Sequence, residues 1–258
     1  MGITALPAER HQKLLQMAKR EEVIRVSEAA ALLDVHEITI RRDLDVLAEQ
    51  GLLERVHGGA RFPQREGVEV RYHLRLQENR EVKERLAQEA VKLVEDGDSV
   101  AIDASTTCLA LARLLPVDTI TAIATNLEAA NVLAESGQPF IMAGGMYYPR
   151  SHSFVGSLVA AMLARLNPDK VFFSAKGFTP ETGFADALLP EADIKERLIA
   201  SAAMVVAILD HSKFGVRALN TFATPRNVHV LITDQPLEPH LHELFGTAGT
   251  RVVVASPQ

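Results

Sequence analysis

Guanidinium groups at helical spacing are the first residues of this sequence that suggest a chemistry, since they can bind base edges and phosphates of nucleic acid. Arg41 and Arg42 are adjacent, and Thr39 precedes them. An apolar stripe starts at Ile40 and recurs four and seven positions later, as on a helix packed on one side. Thr39 and Arg42 lie opposite this stripe, with Arg41 on its shoulder. The stretch therefore predicts a helix with a basic outer face.

A predicted β-hairpin follows this helix, which is expected to end at Gln50-Gly51 because glycine readily takes the C′ conformation. Leu52–Val56 and Ala60–Phe62 are typical of two short strands, joined by a turn at residues 57–59. Basic residues on both strands and in the turn would extend the basic face of the helix. The residues expected to contact DNA are Thr39, Arg41, Arg42, Arg55, His57, Gly58 and Arg61.

Further elements upstream complete a recognisable arrangement. Residues 9–19 have apolar residues at helical spacing, and Ser27 is expected to cap a short helix over residues 28–33. Asp34-Val35-His36 has the length of the turn in a helix-turn-helix. Three helices and a hairpin within about sixty residues predict a winged helix-turn-helix domain over residues 1–62.

An alternative for the basic helix is a solvated surface helix. Asp45 would then neutralise Arg41 at spacing i, i+4 and Arg42 at spacing i, i+3. For the helix taken alone both interpretations stay open, because charge runs commonly face water. The upstream helix and turn favour the DNA-contacting interpretation.

A second stretch has residue types suited to anion binding. Three apolar residues, 100–102, and Asp103 lead through Ala104 to Ser105, Thr106 and Thr107, and then to a predicted helix. A strand, a hydroxyl-rich turn and a helix start bring backbone N–H groups and hydroxyls to one point, which suits a phosphate. The alternative is that Ser105 or Thr106 simply caps the helix. A Walker A loop is excluded, since its glycines and lysine are missing.

The elements that would position this pocket alternate between short apolar strands and helices, which predicts an α/β domain with a largely parallel sheet. The predicted strands are Val100–Asp103, Ile120–Ala124, Phe140–Ala143, Val171–Ala175, Met204–Leu209, Val228–Thr233 and Val252–Ala255. Helices are predicted over residues 79–95, 107–115, 127–136, 157–166, 191–201 and 239–245. We expect a polar linker over residues 63–78 and a sensor domain over residues 79–258.

Polar residues or glycines follow six of the predicted strands. Ligands bind outside the carboxyl ends of strands in such sheets, so these residues predict a polar cleft. They are Ser105 to Thr107, Asn126, Gly144 and Gly145, Lys176, Asp210 to Lys213, and Asp234.

Two strings of residues near the N-terminus resemble a known family. Thr39–Leu44, TIRRDL, and Gly51–Ala60, GLLERVHGGA, are similar to the signature of DeoR-family bacterial transcriptional regulators. The resemblance covers about nine tenths of the chain. One departure is His36, where the family more often has a serine that caps the recognition helix.

The resemblance implies a sensor domain similar to ribose-5-phosphate isomerase and glucosamine-6-phosphate deaminase, with a phosphorylated sugar or polyol as effector. It implies that the hydroxyls of the second stretch hold the phosphate and that residues after other strands lie near the sugar. Lys176 departs from the family, which more often has a small or neutral residue there. The expected effector-binding residues are Asp103, Ser105, Thr106, Thr107, Asn126, Gly144, Gly145, Lys176, Glu191 and Lys213.

The function expected from these features is a cytoplasmic repressor of a carbohydrate or polyol operon. An alternative is a sugar-phosphate isomerase or deaminase that carries a DNA-binding domain. In isomerases an Asp-rich turn follows the strand corresponding to residues 171–175, whereas the turn here, 176–179, has no carboxylate. Glu191 alone matches the isomerase base by position. We therefore expect no catalysis, no cofactor and no metal site.

Composition and charge limit the partners. The chain has a formal net charge of −6, and residues 1–62 hold nine Lys and Arg against ten Asp and Glu. Few phosphate contacts per subunit are then expected, so affinity for double-stranded operator DNA would need a homo-oligomer, a dimer or a tetramer. No long apolar run or signal sequence predicts a membrane segment. The single cysteine, Cys108, is expected as a buried small hydrophobe.

Overall fold

The computed structural model describes residues 7–20, 23–49, 52–61 and 68–255. These residues form two compact units that divide between Gln77 and Glu78. The predicted helix end at Gln50-Gly51, the strand residue Phe62 and residues 63–67 of the expected linker lie outside the described residues.

The N-terminal unit is a helix-turn-helix with a β-wing, as predicted. A two-residue strand that sequence analysis missed, β1, joins the hairpin in an antiparallel sheet of order β1-β3-β2. A helix, α4, lies within residues 63–78, which were expected as a polar linker. The boundaries of the two domains stay a prediction. The elements are α1 Pro7–Arg20, β1 Ile24–Arg25, α2 Val26–Leu33, α3 Glu37–Glu49, β2 Glu54–Val56, β3 Gly59–Arg61 and α4 Val68–Gln77.

The apolar stripe of α3 forms the centre of this unit. Ile40, Leu44 and Leu47 are fully buried and pack with apolar residues of α1, α2 and the wing. The prediction that Ser27 caps α2 was wrong. The helix begins at Val26, two residues before the predicted start, and its N-cap residue, Arg25, makes no side-chain hydrogen bond to it, because strand β1 runs directly into the helix.

Two consecutive glycines of the wing are required for different reasons. Gly58 has a positive φ of 77° in the hairpin turn. A Cβ on Gly59 would lie 1.9 Å from the carbonyl oxygen of Ile24, since β1 pairs with β3 at this point. Gly59 therefore belongs to the strand and is needed for the close approach of β1.

The C-terminal unit is built on a seven-stranded parallel sheet of order β15-β14-β12-β9-β4-β5-β6. All seven predicted strands are confirmed, with bounds of β4 Ser99–Ile102, β5 Thr121–Ala124, β6 Phe140–Met142, β9 Lys170–Phe173, β12 Met204–Leu209, β14 Val230–Thr233 and β15 Arg251–Val254. The predicted helices are confirmed as α5 Arg80–Val91, α6 Thr106–Ala112, α7 Leu127–Glu135, α8 Ser157–Leu163, α9 Leu189–Ser201 and α10 Pro239–Thr247.

The strand order reverses between β4 and β9. From β4 the chain proceeds through β5 to β6 on one side, and it returns to β9 on the other side before continuing to β12, β14 and β15. The carboxyl edge at such a reversal has a crevice, because the connections leave the sheet in opposite directions.

Two small antiparallel sheets beside the main sheet were not predicted. Their strands have three or four residues and mix polar with apolar types, so alternation gives a weak signal. The first sheet is a hairpin of β7 and β8, and the second has the order β10-β11-β13. The strands are β7 Met146–Tyr148, β8 Ser153–Val155, β10 Gly177–Thr179, β11 Gly183–Asp186 and β13 Asn220–Ala223.

Among the described residues, none of the helices has both the length and the apolar character that a membrane span requires.

Candidate functional site

The outer face of α3 is exposed and carries the two predicted arginines. The side chain of Arg41 is 58% exposed and donates to Glu37 one turn earlier, at 3.1 Å. Arg42 is also exposed and makes no hydrogen bond or ion pair within the part of the chain that the structure describes. Thr39 is partly buried at the edge of this face. An exposed guanidinium without a protein partner is available to bind a base edge or a phosphate.

Asp45 pairs with the wing and not with the arginines of its own helix, so the proposed neutralisation of Arg41 and Arg42 is wrong. Its carboxylate lies 2.9 Å from the Nε of Arg55. Arg55 also donates to the carbonyl oxygen of Gly59 at 2.7 Å. Arg55 thus fixes the position of the wing against α3, a role that spacing along the sequence did not reveal.

Of the remaining predicted wing residues, one forms an ion pair within the wing and two are exposed. Arg61 pairs with Glu54 across the hairpin at 3.0 Å. His57 and Gly58 are exposed at the tip. The α3 arginines and the wing tip are therefore exposed, and Arg55 is exposed as well but is held by its pair with Asp45.

A buried ion pair that sequence analysis missed holds α1 against α3. Arg10 donates from Nε and Nη2 to the two carboxylate oxygens of Asp43, at 2.7 and 3.1 Å. His11 contacts the same carboxylate at 3.1 Å. Burial raises the pKa of Asp43, but the hydrogen bonds from Arg10 and His11 outweigh it, and the net shift is downward.

In the second unit, the turn after β4 lies at the reversal of strand order. Ser105 occupies the N-cap of α6, and its Oγ accepts from the backbone N–H of Cys108 at 3.0 Å. Thr106 and Thr107 follow in the first turn and are buried. The capping alternative is thus confirmed for Ser105. A capping role and an anion-binding role are compatible, since other N–H groups remain at this helix start.

Asp103 fixes the shape of this turn. One of its carboxylate oxygens accepts from the backbone N–H of Ser105 at 3.0 Å, and the other accepts from that of Ser174, after β9, at 3.1 Å. Asp103 is 1% exposed. It ties together the two loops on either side of the crevice, which is a positioning role.

Lys195 on α9 lies beneath the crevice and was not among the predicted site residues. Its Nζ is 3.1 Å from Asp103 and 2.8 Å from Asp186, and it donates to the carbonyl oxygen of Ser174 at 2.7 Å. Burial lowers the pKa of Lys195, but the two carboxylates outweigh it and raise the pKa well above its usual value. The ammonium is therefore a permanent charge that joins both loops.

Asn126, after β5, has an unused donor. Its Oδ1 caps α7 by accepting from Ala129 N–H at 2.9 Å. Its Nδ2 is buried and has no hydrogen-bond partner among the described residues. Buried donors are normally satisfied, so a water or a ligand group is expected here.

Glu191 accepts from two serines, one of which lies on the segment that pairs with Asn126. Ser151 donates to its Oε1 at 2.8 Å, and Ser153 donates to the same oxygen. The backbone of Ser153 pairs with that of Asn126 in an isolated antiparallel β-bridge. Burial raises the pKa of Glu191, although the serines and Lys195 partly offset the rise. Sequence analysis missed Ser151 and Ser153 because they lie on an unpredicted hairpin.

The other predicted effector residues lie at the ends of neighbouring strands. A Cβ on Gly145 would lie 2.4 Å from Val159 Cγ2, whereas Gly144 faces open space. Lys176 is exposed, and its backbone N–H donates to Ala185 at 3.0 Å. Lys213 is partly buried, with its Nζ 3.8 Å from Asp210.

Two contacts at the carboxyl edge of the parallel sheet could not be predicted from residue spacing. The Nδ2 of Asn79 donates to Asp210 at 3.2 Å. His211, after β12, is held by Asp234, after β14, with 2.8 Å between Nδ1 and Oδ2. Each contact joins loops that are far apart in sequence.

Metal and thiol chemistry receive no support. In the described ranges, no group of three or more His, Cys, Asp or Glu residues could hold a metal ion. Cys108 is fully buried, and burial raises the pKa of its thiol.

A helix-turn-helix unit with a wing, followed by a parallel α/β unit with polar residues at its strand ends, is the architecture of a two-domain transcription regulator. Residues 10–66 match the DeoR-like helix-turn-helix domain, and residues 78–235 match the DeoR C-terminal sensor domain. The chain belongs to the DeoR family of transcriptional regulators, as the sequence strings predicted.

Relatives align along nearly the whole chain. The HTH-type transcriptional regulator GolR of Listeria innocua is 36% identical and covers 96% of this chain and 99% of its own. The HTH-type transcriptional regulator GlpR of Haloferax volcanii is 32% identical, covering 96% and 98%. The glycerol-3-phosphate regulon repressor of Escherichia coli K12 is 29% identical, covering 88% and 91%.

Solved structures show a more distant likeness. Ribose 5-phosphate isomerase A of Methanocaldococcus jannaschii is 21% identical with a TM-score of 0.38, covering 53% of this chain and 55% of its own. The translation initiation factor eIF-2B of Pyrococcus horikoshii OT3 is 15% identical with a TM-score of 0.46, covering 87% and 86%.

Proposed function

We propose that this DeoR-family regulator represses a carbohydrate or polyol operon and that a phosphorylated sugar or polyol weakens its binding to operator DNA. The observation that carries this proposal is Arg42, which is exposed on the outer face of α3 and has no partner among the described residues, in a chain whose second unit has a hydroxyl-rich helix start where the strand order reverses. The names of the relatives, which include a glycerol-3-phosphate regulon repressor, support the choice of effector class.

On the DNA side, α3 enters the major groove and the wing tip contacts the backbone. Arg42 contacts a base edge, and Arg41 exchanges its exposed pair with Glu37 for a phosphate at little cost, since such surface pairs contribute about 0–1 kcal/mol. His57 and Gly58 meet the backbone at the wing tip. Arg55 and Arg61 hold the wing in shape through their pairs with Asp45 and Glu54.

On the effector side, the phosphate binds at the start of α6. Thr106, Thr107 and backbone N–H groups of the helix start supply donors there. Asn126 Nδ2 and the Glu191 carboxylate bind hydroxyls of the sugar or polyol, because one is a donor without a partner and the other an acceptor. Gly144, Lys176 and Lys213 line the outer part of the crevice.

Coupling between the two functions runs through the start of α5. Asn79 precedes this helix with a left-handed φ of 52°, directly after the division between the two units. Its hydrogen bond to Asp210 ties that start to the loop carrying Lys213. Movement of this loop on effector binding would therefore shift the point where the DNA-binding unit is attached. A coupling free energy of about 1–3 kcal/mol is typical of such regulators.

The active species is a homo-oligomer, a dimer or a tetramer, in the cytoplasm. The first 62 residues carry nine basic against ten acidic side chains. One domain would make few phosphate contacts, so two or more domains on one operator are needed for useful affinity.

Catalysis is not part of the proposed function. Residues 176–179, which follow β9 and of which the last three form β10 and not a turn, include no carboxylate to move a proton. Incubation with ribose 5-phosphate or glucosamine 6-phosphate tests this directly. Turnover that Glu191→Gln abolishes would make the chain an enzyme.

Two substitutions test the division of roles. Arg42→Ala is expected to weaken operator binding by about 1–3 kcal/mol, the value of one bidentate base contact, and to leave the thermal shift by sugar phosphates unchanged. Thr107→Val is expected to abolish that shift and the effector response while operator binding persists. A panel of glycerol 3-phosphate, ribose 5-phosphate and glucosamine 6-phosphate supplies the ligands. Equal damage to both functions by both substitutions would contradict the proposal.

A further inference from the structure

An apolar side chain shares the outer face of α3 with Arg42. Ile38 is 60% exposed and lies four positions before Arg42, so the two side chains are neighbours on one face of the helix. Both lie opposite the buried stripe of Ile40 and Leu44. Val46, four positions after Arg42, is also on this face but is less exposed, at 39%, and lies towards the C-terminal half of α3. Within the described residues, Ile38 is thus the more exposed rigid apolar group beside the unpaired guanidinium of Arg42.

The chemistry of Ile38 limits what it can recognise. Isoleucine has no donor or acceptor, and its β-branched side chain has one strongly preferred rotamer in a helix. The only apolar group that an unmodified base pair presents in the major groove is the C5-methyl of thymine. Recognition helices contact bases through their N-terminal residues, and Ile38 is the second residue of α3.

We propose that Ile38 recognises the methyl group of a thymine in each operator half-site, beside the base that Arg42 contacts. Four residues of helix span about 6 Å, and successive bases rise about 3.4 Å. The thymine therefore lies one or two base pairs from the Arg42 contact. The inference rests on the proposed function, in which α3 enters the major groove.

Exposure alone does not carry this inference, because single exposed apolar residues are common on protein surfaces. Leu32 on α2 is more exposed, at 68%, and does not belong to α3. It is therefore a matched control: a truncation at Leu32 removes a similar exposed side chain without touching the outer face of α3.

The test uses the full-length protein and a duplex enriched from a random library by the wild type. Each thymine is replaced singly by deoxyuridine, which removes only the methyl group. In the wild type, one position per half-site is expected to lose about three- to fivefold in affinity, the effect of burying about one methyl-sized group. Ile38→Ala is expected to bind the thymine duplex more weakly by this factor and to show no thymine preference at that position. Leu32→Ala and Ile38→Val are expected to retain the preference.

Each outcome separates the inference from the proposed function. If no thymine position responds, or if Ile38→Ala keeps the preference for thymine over deoxyuridine, the role of Ile38 is refuted. A loss of affinity in Arg42→Ala would still uphold the contact of α3 with the major groove. If Arg42→Ala binds the enriched duplex as tightly as the wild type, the proposed function itself fails. Circular dichroism melts of the variants establish that each remains folded, as expected for changes at exposed positions.

Discussion

Lys195→Met should weaken the sensor unit more than any exposed substitution. The wild-type ammonium lies within 3.1 Å of two carboxylates, the buried one of Asp103 and the partly buried one of Asp186. Breaking a buried ion pair by removing one partner costs about 3–5 kcal/mol. Two carboxylates lose their cation here, but Asp103 keeps two backbone donors. We therefore expect a loss of about 4 kcal/mol and not twice the value for one pair.

Urea unfolding followed by far-UV circular dichroism measures this loss, since the chain has no tryptophan for fluorescence. With a slope near about 3 kcal/mol per molar for a domain of this size, the midpoint is expected to fall by about 1.3 M. Lys92→Met is the control, because its pair with Glu89 is exposed at the lysine and should change stability by less than about 1 kcal/mol. A midpoint for Lys195→Met as close to wild type as that of the control would refute the assignment of a buried charge.

Three further substitutions test local arguments. Glu191→Gln should raise the free energy of unfolding at pH 7. Burial raises the pKa of Glu191, so keeping its carboxylate ionised in the folded protein costs stability, and the glutamine removes that cost. The gain should fade when urea unfolding is repeated below the ordinary pKa of 4.5, where the carboxyl group is protonated in both states. Asp43→Asn should speed amide hydrogen exchange in α1 and α3 and cost about 3–5 kcal/mol at pH 7, since Arg10 loses its buried partner. Because hydrogen bonds from Arg10 and His11 lower the pKa of Asp43 in the folded unit, the wild type is expected to lose this stabilisation as the pH falls below about 4. Stability that does not change between pH 6 and pH 3 would contradict this expectation. Gly59→Ala should lower operator affinity and wing protection more than Gly58→Ala, because only at Gly59 would a Cβ strike backbone; equal effects would contradict the close approach of β1.

The sequence predicted those parts of the fold that have strong local periodicity. The stripe at Ile40, Leu44 and Leu47 predicted α3 and its buried face correctly, because one side of that helix packs and the other does not. The seven strands of the parallel sheet were equally visible as short apolar runs. The missed strands, such as Ile24–Arg25 and Ser153–Val155, are too short for periodicity to distinguish them from loops.

The candidate site was predictable in its position but not in its contacts. Residues at strand ends were found because parallel strands bring their carboxyl ends together. Pairs such as Arg10 with Asp43, or Asn79 with Asp210, join elements far apart in sequence, and spacing contains no information about them. For the same reason Asp45 was paired with neighbours on its own helix, whereas its partner is Arg55 in the wing.

Reciprocal coupling between the two ligands tests the central claim most directly. The affinity of the full-length protein for its enriched duplex is measured with and without the sugar phosphate that shifts its melting temperature. The affinity for that sugar phosphate is then measured with and without the duplex. Linkage requires both ratios to be equal, and we expect a factor of about 5–150. A sugar phosphate that binds the free and the DNA-bound protein equally well would contradict the account of an effector-controlled regulator.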